Sequence, residues 1–283
     1  MKTKQYIVIG SVVVLMGILL SLDIKGLVKK EDASGAEAET AATAEKKVVS
    51  GFSRESVLAI AKQNVSPSLL TDIEKVENSL KKASGDEEVS LQEQLAKKWD
   101  DVNQPAASAF AYEAIAEKKP TYQNWMKAGD RFTEGYQNFP DTTSVQGLTE
   151  KAIHAYNKAL ELNAESLDAQ TGLGIAYVTG TNNPMQGIQL LLKVVEKDPE
   201  NLKANMSLGL FSMKSGQFGK AVDRFKTVVK VKKDPEAYFY MATSYENMGM
   251  KTAAVEAYEE AKRLAGDPGL SSFIDRKIKE LNN

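Results

Sequence analysis

The sequence predicts an all-α fold, a stack of helical hairpins, and two observations predict it. From Leu202 to Gly266 one pattern is written twice. Leu208-Gly209, Gly216, Ala221, Phe225 and Val228 form the first copy, and Met241-Ala242, Gly249, Ala254, Tyr258 and Ala261 form the second. Each copy has apolar residues at helical spacing on both sides of a glycine, which reads as helix, turn, helix. Upstream, Leu69, Ile73, Val76 and Leu80 recur as an amphipathic stripe with the period of a helix.

Taken in order, the chain opens with Lys2 and Lys4 in a tail of residues 1–5. From Tyr6 to Leu22 it is apolar, with only Gly and Ser as interruptions, for about 17 residues, the short limit for crossing a bilayer. Ser21-Leu22-Asp23-Ile24 offers no small-x-small cleavage site, so 6–22 is read as an uncleaved transmembrane signal anchor; a cleaved secretory signal is the alternative. Lys25, Lys29 and Lys30 nearly balance the positive charge ahead of the span. The short tail before a long hydrophilic body favours tail inside, body outside. Residues 23–50 are a linker: Glu31 to Lys47 is rich in Ala, Glu, Thr and Gly and too polar to order itself. As a flexible coil it spans roughly 30 Å.

Residues 51–88 are expected to hold a helical pair broken at Ser66-Pro67 and ended by a loop at Ala83-Ser84-Gly85-Asp86. The pair is read as a cap on the hairpins that follow; a dimerising coiled coil would need a longer heptad run. The first hairpin runs from Val89 to Pro120, with Leu95-Ala96 and Trp99 on one helix and Ser108, Tyr112 and Ile115 on the next. The second has Trp125, Ala128-Gly129 and Phe132, then Ala152, Tyr156 and Ala159. About eleven extra residues, including Asn138-Phe139-Pro140-Asp141, separate its helices, so either the first helix runs on through Tyr136 or a loop protrudes. The third carries Leu173-Gly174 and Tyr177, then Pro184, Gly187, Leu191 and Val194. The doubled pattern supplies the fourth and fifth. A last helix, Ser271 to Leu281, turns Phe273, Ile274, Ile278 and Leu281 inward as a terminal cap.

The landmarks recur at about 33 residues, and a small residue beside a large apolar one, followed by Ala-x3-aromatic-x2-small, resembles the tetratricopeptide repeat. The resemblance covers residues 89–268, with 269–283 as the C-terminal cap. It implies a right-handed superhelical solenoid and, with the anchor, the membrane-anchored bacterial periplasmic type. That type places a single-pass protein in the inner membrane with the repeats in the periplasm.

Composition sets bounds on function. The formal net charge of -2 gives no basic excess for phosphate neutralisation, so nucleic acid is not an expected partner. With no cysteine, thiolate metal sites and a Cys nucleophile are excluded. His154 is the one histidine and has no second ligand or relay partner in the sequence. Gly172-Leu-Gly174 lies inside a helix and no Gly-Lys-Ser/Thr follows, so it is not a phosphate loop. No enzyme, cofactor or metal is expected.

The resemblance implies instead a concave groove lined by fixed positions on the first helix, helix A, of each hairpin. Carried over, these are Asp168, Thr171, Ile175 and Val178, then Lys203, Met206, Leu210 and Met213, then Glu236, Phe239, Thr243 and Glu246. The candidate partner-binding residues are Thr171, Ile175, Val178, Met206, Leu210, Met213, Phe239 and Thr243. The Met-rich centre suits an adaptable apolar surface for protein or peptide partners. The alternative is that the chain's own N-terminal helices cover it or that these residues pack against their neighbours. Met206 and Leu210, like Thr171 and Ile175, stand where a chaperone-type carboxylate clamp would place a cation and an amide, so an acidic C-terminal tail is a poor guest. The function implied is a scaffold or adaptor; a self-associating component or accessory subunit of an envelope assembly, such as secretion or cytochrome maturation, is the alternative.

Overall fold

The computed structural model describes residues 52–137 and 139–282. The expected anchor at 6–22 and the whole of the linker at 23–50 lie outside them. Among the described residues no helix is long and apolar enough to cross a membrane.

These residues form thirteen helices and no strand. In order they are α1 (Arg54–Gln63), α2 (Pro67–Leu80), α3 (Gly85–Asp101), α4 (Pro105–Lys118), α5 (Tyr122–Gln137), α6 (Thr142–Leu162) and α7 (Leu167–Gly180). There follow α8 (Pro184–Lys197), α9 (Leu202–Lys214), α10 (Phe218–Val231), α11 (Pro235–Asn247), α12 (Lys251–Ala265) and α13 (Pro268–Asn282).

Local chemistry sets the ends. Proline occupies the first turn of α2, α4, α8 and α11, where its missing N–H costs nothing. Asp141, Ser166, Asn201 and Asp234 cap α6, α7, α9 and α11 by accepting from the first-turn amides. Between the helices of the fourth and fifth hairpins the chain passes through Gly216 (φ 74°) and Gly249 (φ 73°). The next amides, Gln217 and Met250, donate back to Ser212 and Tyr245, a Schellman closure. The first hairpin closes identically: Gln104 donates to Trp99 O at 2.9 Å, with Asn103 (φ 53°) in the glycine's place. Asparagine tolerates this left-handed geometry better than other side chains.

The apolar stripes then pair the helices as α3–α4, α5–α6, α7–α8, α9–α10 and α11–α12, each hairpin packing on the next. The first helices α5, α7, α9 and α11 also touch one another in sequence, and their hairpin partners do not approach as closely. The stack therefore curves with α5, α7, α9 and α11 on its inner side. Cross-bonds tie that wall together: the Tyr136 hydroxyl lies 2.7 Å from that of Thr179, and the Tyr122 hydroxyl 2.6 Å from that of Ser166.

Several expectations are resolved or corrected. The extra residues of the second hairpin go into longer helices, α5 reaching Gln137 and α6 spanning 21 residues, rather than into a protruding loop. The expected loop at 83–86 ends at Ser84; Gly85 (φ 62°) and Asp86 open α3. The N-terminal helices lie on the first hairpin, as the cap reading expects, and straddle it: α2 packs on α3 and α1 on α4. For this reason α4 is buried nearly all round. Phe52 reaches further, to α6, where a side chain at Gly147 would collide with its ring. At the other end Ile274 is fully buried and Ile278 and Leu281 partly so, but Phe273 is 38% exposed, its ring 6.0 Å from that of Phe239.

Candidate functional site

The inner wall is built from one face of α5, α7, α9 and α11. Its floor is set by the second helix of each hairpin. Tyr156 of α6 lies beneath Gly129 and Gly172, both of which lack a Cβ that would enter its ring. Phe225 of α10 lies beneath Gly209 in the same way. These glycines admit the aromatic ring; the tight approach brings the first helices close enough to form a continuous surface.

Three hairpins share a tether that the sequence reading does not anticipate. The hydroxyl of Tyr112 donates to Asp100 at 3.0 Å, that of Tyr156 to Asp130 at 2.9 Å, and that of Tyr258 to Glu246 at 2.7 Å. In each case an aromatic on the second helix reaches a carboxylate on the first. Burial first, and then the neighbouring carboxylate, raises the Tyr112 hydroxyl to about 12, and burial with Asp130 pushes Tyr156 well above its ordinary value. Burial also opposes the charge on Glu246, but the Tyr258 hydroxyl and Lys277, 2.9 Å away, outweigh it and hold its pKa below the usual range. The third and fourth hairpins place Leu191 and Phe225 there and have no such tether. The signal was present as Tyr paired with an acid a dozen or more residues earlier, but the acid's position shifts between hairpins.

Two adjoining clefts open on the wall. One, of about 460 Å³, lies between α7, α9 and the start of α11 and is lined by Ile175, Leu202, Met206, Leu210, Val228 and Lys232 among others. The second, of about 330 Å³, lies between α5, α7 and α9, with the polar side chains of Asp130, Thr133, Glu134 and Asp168 on its sides. Gln137, Ile175 and Lys203 belong to both.

Of the sequence-derived candidates, Ile175, Met206 and Leu210 come together in the larger cleft. Thr171 is buried, its hydroxyl donating to Leu167 O at 2.6 Å. Val178 turns toward α8, close to Gly187. Met213 packs on the cluster of α10–α12. Phe239 is half-buried among the rings of Tyr240, Tyr258 and Phe273, and the Thr243 hydroxyl donates to Phe239 O at 3.1 Å. Neither α1 nor α2 lies on this wall; both pack on the first hairpin. His154 is exposed, edge-on to Trp125 at 5.7 Å. Among the described residues no group of His, Cys, Asp or Glu could hold a metal ion.

With this geometry in hand, comparison with known proteins is direct. The sequence model of the tetratricopeptide repeat family matches residues 236–265, which are α11 and α12. Anaphase-promoting complex subunit 3 of Dictyostelium discoideum is 26% identical over 125 residues, 44% of this chain but only 13% of that protein. Two solved structures share the fold. PilW, a type IV pilus biogenesis factor, superposes with a TM-score of 0.54 at 19% identity, over 68% of this chain and 85% of its own. The Thermus thermophilus protein TTC0263 gives 0.51 at 15% identity, over 66% and 97%. Residues 236–265 thus match the tetratricopeptide repeat, and the earlier hairpins share the helix-turn-helix geometry and the overall fold of these solved structures.

Proposed function

We propose that this protein is a non-enzymatic scaffold that captures a segment of a partner protein on the inner wall of its repeats. The observation that carries the reading is the open apolar cleft at Ile175, Met206 and Leu210, flanked by polar rims and uncovered by any described helix. Such a surface binds by apolar burial at its centre and polar contacts at its edges. The apolar segment at 6–22 adds the second half of the proposal: a right-handed superhelical array, tethered by residues 23–50 and displayed on the periplasmic side of the bacterial inner membrane.

A second reading has its own observation. Met185 and Leu192 on α8 are 56% and 43% exposed and flank an outer cleft of about 480 Å³, which favours self-association into a larger envelope assembly. The readings separate by mutation. Met206→Ser, Leu210→Ser and Phe239→Ser combined should abolish partner crosslinking in intact cells and leave oligomer size unchanged. Loss of oligomer size in Met185→Ser/Leu192→Ser, with crosslinking intact, would favour the second.

A further inference from the structure

We propose that the guest of the inner wall is an extended segment carrying a cationic side chain about three residues from a large apolar one. This rests on the groove reading above and adds the chemistry of the guest.

The charge on the wall is not uniform. Between α5 and α7 the smaller cleft presents three carboxylates, Asp130, Glu134 and Asp168, against the ammonium of Lys203. Their engagement differs. Glu134 meets Arg131 at 2.7 Å, and Asp130 uses one oxygen to accept from Tyr156. Asp168 and Lys203 have no ion pair or hydrogen bond among the described residues. The next cleft, between α7 and α9, is apolar apart from Lys203, which stands at the border of the two, and its far rim carries Lys232, 3.7 Å from Asp234. The wall therefore runs from negative, through apolar, to a balanced pair. A guest matching that order puts its cation against Asp168 and Asp130 and its apolar side chain on Ile175, Met206 and Leu210.

Spacing follows from the stack. Packed helices lie about 8–10 Å apart, and an extended chain rises about 3.3 Å per residue. Adjoining clefts, one helix spacing apart, are therefore about three residues apart along the guest. The apolar contact supplies most of the affinity, and the thioether of Met206 adapts to Leu, Met or Phe. The carboxylates supply selection against an acidic guest, since like charges brought together are repelled.

The test is fluorescence anisotropy of the full chain with synthetic peptides in one Gly/Ser frame: Lys-x-x-Leu, Glu-x-x-Leu and Lys-x-x-Ser. Lys-x-x-Leu should bind about three- to tenfold more tightly than Glu-x-x-Leu at low salt, and the ratio should shrink as salt is raised toward 0.5 M. Lys-x-x-Ser should bind much more weakly. Asp168→Lys, with unchanged helical circular dichroism, should invert the preference. Equal binding of the Lys and Glu peptides, lost in Met206→Ser/Leu210→Ser, would overturn the charge assignment and leave the groove standing. Binding undiminished in that double variant would overturn the groove and this proposal together. No binding by any peptide would also overturn the proposal.

Discussion

Glycine does two different jobs in this chain, and substitution distinguishes them. At Gly216 the backbone is left-handed and a Cβ would meet nothing within 4 Å. Gly216→Ala should therefore cost about 1–2 kcal/mol of purely conformational energy. Asn103→Gly, at the equivalent turn, should change stability by a few tenths or improve it. Gly187 is the opposite case. Its Cβ would run into the carbonyl oxygen of Gly174, a backbone atom that cannot swing aside. Gly187→Ala should cost about 1–3 kcal/mol or more by forcing α7 and α8 apart. Urea midpoints of the three variants check the order, and a Gly187→Ala variant as stable as the parent would contradict the packing. The glycine landmarks at 216 and 249 were legible because their spacing repeats. The identical turn at Asn103 was not, because an asparagine elsewhere in a loop looks the same in sequence.

At the scale of the elements, the second helices of the first two hairpins are joined by one ion pair, Lys151 to Glu113 at 3.0 Å. Burial raises the Glu113 carboxyl above its ordinary value, and Lys151 only partly opposes this. The folded protein thus holds that proton more tightly than the unfolded chain does. Its contribution to stability falls as pH rises through the unfolded value near 4.5 and stays lower at neutral pH. Glu113→Gln removes that slope. The melting temperature of the variant, relative to the parent, should move in the variant's favour between about pH 4 and pH 7. A shift the other way would mean that the pair with Lys151 outweighs burial. The existence of α4 was readable from its apolar residues, but its near-complete burial was not. That follows from α1 folding across it, and nothing in the amphipathic pattern of residues 54–63 names the helix it will cover.

At the scale of the whole array, the buried core is not continuous. Two clusters of buried residues bind α1 to α7 and a third binds α10 to α13; among the described residues the small cluster of Leu191, Val194, Ala204 and Leu208 lies between them, joining α8 to α9. The 460 Å³ inner cleft and the 480 Å³ outer cleft both open beside this joint. Stability in such arrays is a sum of repeat and nearest-neighbour interface terms. Leu208→Ala, costing about 2–5 kcal/mol at a buried site, should weaken that coupling selectively. Urea unfolding should then separate into two transitions, with amides of α9–α13 and of α1–α7 exchanging as distinct blocks. A single transition lowered as a whole would show the joint to be as strong as its neighbours.

The sequence by itself determined the hairpins: helical spacing of apolar residues, prolines at first turns and glycines at tight ones act over a few residues, and these local forces are written in order along the chain. It also placed Ile175, Met206 and Leu210 on one wall, because the repeat period carries a position from one hairpin to the next. Only the tertiary structure decided which candidates line an open cleft. Thr171 and Val178 share the period but turn inward, since the rotation between neighbouring hairpins depends on the contacts between them. The alternation of acid and apolar clefts, and the thin joint at Leu208, arise in the same way from residues far apart in sequence, whose meeting no local pattern specifies.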